Sequence, residues 1–307
     1  MVYHVPVLLK QSVDALRIKP DGIYVDVTFG GGGHSREILS RLGPNGRLIA
    51  FDRDLDAFVN KPDDNRLLLT HGNFRFINNY LRYYGIDRVD GIIADLGVSS
   101  HHFDTAERGF TFQHEALLDM RMNTAGGITA MRVVNFYDQD RLTEMFRSYG
   151  ELDNARRLSQ FICKARESAV LKTNNDLVEA VKPCLPKYGE NKILAKIFQA
   201  IRIEINGELT ALKSLLSQSV KTVKAGGILS VITYHSLEDR LVKNFIRDGK
   251  FEGKAEKDIY GNTFTPFKPV ANKIIIPDDT EIKENSRSRS AKLRIAERTE
   301  FIFKTED

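Results

Sequence analysis

The stretch YVDVTFGGGGHSREIL, Tyr24 to Leu39, constrains the fold more than any other. Its apolar, β-branched start reads as a buried strand. Four glycines follow, Gly30 to Gly33, and then SREILSRL, which has a helical period. Glycine tolerates positive φ and has no Cβ, so another molecule can touch its backbone. As a merely flexible loop, four glycines would weaken the strand–helix junction without return. In a doubly wound sheet, ligands bind beyond the carboxyl ends of the strands. The glycines fall at that place.

The strand–helix rhythm continues downstream. GRLIAFDRD (Gly46–Asp54) predicts a second strand ending in acid, and RLLLTHGNF a third. FINNYLRYYG has helical period, and VDGIIADLGVSS (Val89–Ser100) predicts a fourth strand running into a polar loop. Such alternation implies a parallel sheet with helices on both faces, an α/β fold. From about Asp104 to Ile205 the alternation stops. QDRLTEMFRSYGELDNARRLSQFICKARES, NNDLVEAVKPCL and NKILAKIFQAIRIEI all carry helical periodicity. The helix GELTALKSLLSQSVKTVK and the strand GGILSVITYHS restore the sheet pattern, and NKIIIP and SAKLRIAERT predict two further strands. The expected organisation is a sheet domain from 1–105 and 206–307, with an all-helical insertion over 106–205.

Two ligand classes compete for the glycine loop. A dinucleotide site wants GxGxxG, with the pyrophosphate at the helix N-terminus. Here the third glycine is replaced, by Arg36 in one register and Ser35 in the other. Asp26-x-Thr28-x-Gly30-x-Gly32 instead has the acid-then-small rhythm suited to S-adenosylmethionine, which carries no phosphate. Asp26 could then help hold the ligand's ammonium. Asp52, closing the second strand, is placed to accept from both ribose hydroxyls, a role that fits either class. The loop by itself favours the methyl donor. Asp95, in ADLGVSSHHFD after the fourth strand, could accept from an amino group or simply cap a turn.

Composition leaves the function class open. The 307 residues are 42% hydrophobic and 28% charged, with a net charge of +4 that permits a polyanionic partner without requiring one. Two cysteines, Cys163 and Cys184, lack metal-like spacing and are expected to stay reduced. MVYHVPVLLKQSVDAL lacks a basic leader region, and Lys10 and Asp14 interrupt its apolar run, so the reading is a cytoplasmic protein with no membrane span. His101, His102 and His114 do not make a metal motif, and no metal is expected.

Several unusual motifs occur in order across nearly the whole chain: HVPVLL, GGGGHS, DRD, DLGVSS, RGFTF, LDMRM, FQAIRIEINGEL, YHSLEDRLVKNF and SRSAKLR. With them the chain resembles the RsmH (MraW) family of small-subunit ribosomal RNA cytosine-N4 methyltransferases. The resemblance implies a class I S-adenosylmethionine-dependent methyltransferase fold, a Rossmann-like, mostly parallel seven-stranded sheet with a helical insertion. Residue by residue, it implies Gly32, Gly33 and His34 as the cofactor loop, Asp52 as the ribose acid and Phe74 as a wall of the adenine pocket. Asp95 matches the acid of the fourth-strand loop. His102 falls where the family usually has glutamine, and SSHHFD replaces a form close to SSPQLD. A neutral histidine still donates or accepts one hydrogen bond. The implied substrate is a cytidine in the decoding centre of 16S rRNA, within an assembled or nearly assembled small subunit.

Methylating a cytosine amino group requires in-line alignment of nitrogen, methyl carbon and sulfur. It also requires acceptors for the amine's protons, because the nitrogen lone pair is delocalised into the ring. Asp95, Ser99 and Ser100 are the candidates, with Tyr234 and His235 on the same sheet edge. DLGVSS lacks the aromatic stacker of related amino-methylating enzymes; Phe103, Phe110 and Phe112 could supply a platform or pack in a core. The target base must be unstacked to reach such a pocket. Arg287, Arg289, Lys292 and Arg294 in SRSRSAKLR suit contacts to RNA phosphates, and Arg156, Arg157, Lys164 and Arg166 give the insertion a basic side. LDMRMN is either helix packing or part of a substrate gate. The competing functions are a nicotinamide-dependent oxidoreductase and a non-catalytic RNA-binding protein on the same fold.

Overall fold

The computed structural model describes residues 6–98, 105–255, 263–271 and 273–300. They divide into two compact units, one formed by residues 1–97 and 209–307 and the other by Val98–Glu208.

The first unit is built on a seven-stranded sheet. Its strands are β1 Ile23–Asp26, β2 Arg47–Asp52, β3 Leu67–His71, β4 Val89–Asp95, β5 Val223–Thr233, β6 Phe267–Pro269 and β7 Lys292–Arg298. They lie in the order β3-β2-β1-β4-β5-β7-β6. The first five are parallel, whereas β7 runs antiparallel to both β5 and β6. The helices are α1 Leu9–Ala15, α2 Gly33–Arg41, α3 Ile77–Tyr83, α9 Glu208–Thr222, α10 Ser236–Asp248 and α11 Asp279–Glu284.

The pleat explains why the strands read as continuous apolar runs. Val25, Ile49, Phe51, Ile92, Leu229 and Val231 pack one face with Ile77 and Leu81 of α3, Leu212, Leu215 and Leu216 of α9, and Val242 and Phe245 of α10. The alternate residues Tyr24, Leu48, Ala50, Ile93, Ile228 and Ile232 pack the other with Val13 of α1 and Ile38 and Leu39 of α2. Both faces are buried, so each large apolar strand residue contributes roughly 1.5–3 kcal/mol. Strand order reverses between β1 and β4, and a parallel sheet opens its ligand crevice at such a switch point. The residues that end β1, β2, β4 and β5 therefore share one sheet edge.

One strand differs from the sequence expectation. NKIIIP contributes only an isolated bridge, Ile275 to Leu293. The seventh strand is β6, whose Pro269 is tolerated because β6 lies on the sheet edge, where a missing N–H faces no neighbour.

The second unit is helical: α4 Ala130–Phe136, α5 Gln139–Gly150, α6 Ala155–Ser168, α7 Asn174–Val181 and α8 Glu190–Asn206. Val133, Phe146, Leu158, Ile162, Leu177, Ile197 and Ile201 form its core. Phe110 belongs to that core, and Phe112 packs edge-on to Phe198 with ring centres 5.5 Å apart. LDMRMN likewise packs: Leu118, Met120 and Met122 are buried, and Asn206 bonds the backbone of both methionines. Of the arginines expected on a basic surface, the half-buried Arg166 works inside the unit, donating to the carbonyls of Val134 and Tyr137. Arg157 donates to the Pro183 carbonyl but is exposed, as are Arg156 and Lys164. Among the described residues, no helix is long and apolar enough to cross a membrane.

Candidate active site

The glycine loop is tied down from three sides. Asp52, ending β2, accepts from Gly30 N at 2.7 Å and from Asp54 N at 2.8 Å. Asn60 donates to the Gly30 carbonyl at 3.2 Å, and the Arg36 guanidinium to the Gly31 carbonyl. Gly32 is the N-cap of α2 at φ +75°, where an added Cβ would lie 2.9 Å from the Phe29 ring. At Gly33 an added Cβ would collide with Pro6. At Gly30, φ +51°, it would meet nothing nearer than the Thr28 carbonyl at 3.9 Å. Among the described residues the loop thus packs tightly at Gly32 and Gly33 and is open at Gly30, which is the shape of a backbone cradle for a ligand.

Asp26 sits under this loop. It is 1% exposed, and its carboxylate accepts from Thr28 N at 3.0 Å and from the Ser35 hydroxyl at 2.7 Å. Burial raises its pKa, opposed by His34, Ser35 and Thr28. So enclosed, Asp26 braces the cradle from beneath rather than offering an open carboxylate to an ammonium group.

Asp95 ends β4 beside the cradle. Its backbone N–H donates to the Thr28 hydroxyl at 2.7 Å, which couples the ends of β1 and β4. The Tyr234 hydroxyl donates to Asp95 Oδ1 at 2.7 Å, and His34 Nδ1 stands 3.8 Å from Oδ2. Burial pushes the Asp95 carboxyl up to about 6, reinforced by Asp26 and Glu238; His34 and the Tyr234 hydrogen bond pull the other way. Burial, then the Asp95 charge, hold the Tyr234 hydroxyl well above the ordinary tyrosine range. His34 is buried in the first turn of α2, and its Nε2 has no hydrogen-bond partner among the described residues. A buried, unpaired polar atom beside an open backbone cradle marks a place where a ligand completes the bonding.

The remaining sequence candidates divide. Phe74 begins a short 3-10 turn after β3, half-buried against one face of the sheet core. His235 caps α10: its Nδ1 accepts from Glu238 N at 3.4 Å. The buried Glu238 carboxylate reaches back to accept from Tyr234 N at 2.9 Å. His235 is therefore held in a helix cap, and it is Tyr234 that touches Asp95. Arg287 and Arg289 are exposed on a 3-10 turn, Ser286–Ser290. Arg294 instead pairs with Asp239 at 2.7 Å, with Lys292 3.5 Å from the same carboxylate. Burial works to raise Asp239, but Arg294 and Lys292 outweigh it and hold the acid below its usual range. Ser99, Ser100, His101, His102 and Phe103 lie outside the described residues.

Sequence reasoning did not single out Arg36, Asn60, Ser35 or Glu238 as parts of this site. Only Glu238 left a signal, because a glutamate three residues into a helix often closes the N-terminal cap. The others act through backbone carbonyls and a buried carboxylate that become neighbours only after folding.

The residues fit a nucleoside-plus-amino-acid ligand. The cradle is bare, the Asp52 carboxylate stands at the next strand end, and no third loop glycine supports a pyrophosphate. A family model described as the MraW methylase family matches residues 1–299. A protein of Bacteroides fragilis, strain YCH46, named ribosomal RNA small subunit methyltransferase H, is 57% identical over 296 residues, covering 96% of this chain and 97% of that protein. A protein of the same name from Flavobacterium johnsoniae is 58% identical over 298 residues, covering 97% and 98%. A solved rRNA methylase from Streptococcus thermophilus aligns over 97% of this chain and 99% of its own, at 11% identity and a TM-score of 0.43. A match of this extent over a site of this form places the chain in the MraW methylase family, as an S-adenosylmethionine-dependent methyltransferase.

Proposed function

We propose that the protein methylates the N4 amino group of a cytidine in the decoding centre of 16S rRNA, acting in the cytoplasm on an assembled or nearly assembled small subunit. The coarser reading, methylation of small-subunit ribosomal RNA, is supported by the shared name of relatives that match nearly the whole chain. The single observation that carries the amino-group chemistry is the Asp95–Tyr234 pair beside the glycine cradle.

S-adenosylmethionine, when bound, supplies an electrophilic methyl group. In this reading the backbone of Gly30 to Gly33, with His34, holds the cofactor, Asp52 accepts from its ribose, and Phe74 walls its adenine. Asp95 accepts a hydrogen bond from the substrate amine and takes its proton. A carboxyl raised to about 6 remains ionised at neutral pH yet is a better base than an ordinary aspartate. Tyr234 keeps that carboxylate oriented. Asp95 is a general base shaped by its surroundings, consistent with the clustering of shifted groups at catalytic sites. Arg287, Arg289 and Lys292 contact substrate phosphates, and the helical segment 106–205 recognises the RNA around the target. Arg294 serves more as a strut to Asp239.

The test is methyl transfer from labelled S-adenosylmethionine to small subunits isolated from cells lacking this enzyme, followed by digestion and mass spectrometry of the nucleosides. N4-methylcytidine at one decoding-centre position is expected. Label in another nucleoside, or only in protein, would sink the reading.

A further inference from the structure

A second basic feature draws on two of the sequence motifs, Lys243 of YHSLEDRLVKNF and Arg294 of SRSAKLR. Along the sheet edge made by β6 and β7, a groove of about 550 Å³ is bounded on one side by α10. Among the described residues its charged lining is Lys243, Arg247, Lys268, Lys273 and Arg294, with no acidic side chain. Three of these cations are already matched: Arg247 by Asp248, Lys268 by Glu297 at 3.1 Å and Arg294 by Asp239. Lys243 and Lys273 are exposed and have no ion pair among the described residues. Apolar surface stands between the charges, with Phe264 51% and Ile274 39% exposed.

Two uncompensated ammonium groups and an accessible aromatic ring in one concave surface have the make-up of a single-strand nucleic-acid groove. Cations follow the phosphates, and base faces rest on apolar side chains. The volume falls within the roughly 300–1,000 Å³ of small-ligand clefts, so it admits a short stretch of single strand rather than a duplex. An acidic peptide would satisfy the lysines but leave the aromatic and aliphatic surface without a matching partner. We infer that this groove binds a single-stranded segment of the RNA substrate at a distance from the methylated base, with Lys243 and Lys273 as its phosphate contacts. This rests on the rRNA methyltransferase reading above and adds a second point of attachment to it.

The decisive variant is K243E/K273E, with K243Q/K273Q as its milder counterpart. Both lysines are exposed, so melting curves should match wild type. Binding of a fluorescent twelve-nucleotide single-stranded RNA is followed by anisotropy across a salt series. Loss of two phosphate contacts should weaken binding at least tenfold at low salt and reduce the slope of log K against log salt by about 1.4. For small subunits, KM should rise with kcat kept. Unchanged oligonucleotide affinity and slope in the charge-reversed variant overturn the groove, while methyl transfer by wild type still upholds the function. If wild type methylates no RNA, the function fails whatever the groove binds. Tighter binding of polyglutamate than of the oligonucleotide to wild type at equal charge concentration, lost in K243E/K273E, would overturn the assignment to RNA in favour of an acidic protein partner.

Discussion

An Asp95→Asn substitution removes a charge that burial already disfavours. Because burial pushes the folded carboxyl up to about 6 from its ordinary value of 3.8, the folded state holds its proton more firmly than the unfolded chain. The stability this gives is complete below about 3.8 and is lost as pH rises through about 6. The asparagine variant should therefore be more stable than wild type at pH 7.5, by on the order of 2–3 kcal/mol, and gain little at pH 4. Melting temperatures at the two pH values measure this. Methyl transfer should fall by at least about a hundredfold; turnover near the wild-type rate would remove Asp95 from the chemistry. Tyr234→Phe makes a separate prediction. Its hydroxyl favours the carboxylate, so losing it raises the Asp95 pKa further, and the acid limb of kcat/KM should move to higher pH. A limb that stays in place would mean that Tyr234 does not tune Asp95.

At the scale of elements, the cradle and the helix ends carry the argument. Gly32→Ala forces a Cβ against the Phe29 ring at a φ that non-glycine residues avoid. Backbone strain alone costs about 1–3 kcal/mol. The loop should distort and S-adenosylhomocysteine binding should weaken by more than tenfold, as read by calorimetry. Arg166→Ala should destabilise the helical unit by about 1.5–3 kcal/mol per lost charged hydrogen bond, before relaxation. Chemical denaturation would show it, and a surface role for Arg166 predicts no change. These elements were unequally legible. The first five strands and the long helices announce themselves through periodicity. By contrast, IIIP has a stronger strand composition than FKP, yet FKP forms a strand along β7 while IIIP makes only the single bridge from Ile275 to Leu293. Sheet position decided that, and composition does not encode it. Arg157, Arg166 and Arg294 looked like available charge, but each finds a carbonyl or carboxylate partner far along the chain.

At the scale of the molecule, attachment to RNA is a sum of small electrostatic contributions. Replacing Arg287 and Arg289 together with alanine should raise KM for small subunits and flatten its salt dependence by up to about 1.4 in log–log slope, leaving cofactor affinity unchanged. An unaltered slope would place the phosphate contacts elsewhere. The sequence alone determined the alternation of strand and helix, the helical interruption, and the cradle glycines. Those follow from periodicity and from steric rules that act within a few residues. Only the tertiary structure decided that Asp26 is walled in while Asp95 meets Tyr234, and that His235 serves a helix cap. The two acids occupy equivalent strand ends, and their difference lies in burial and in the partners of each carboxyl: Thr28 and Ser35, 2 and 9 residues away, for Asp26, and the Tyr234 hydroxyl, 139 residues away, for Asp95. Local sequence holds no record of that burial or of the Tyr234 contact; packing creates them.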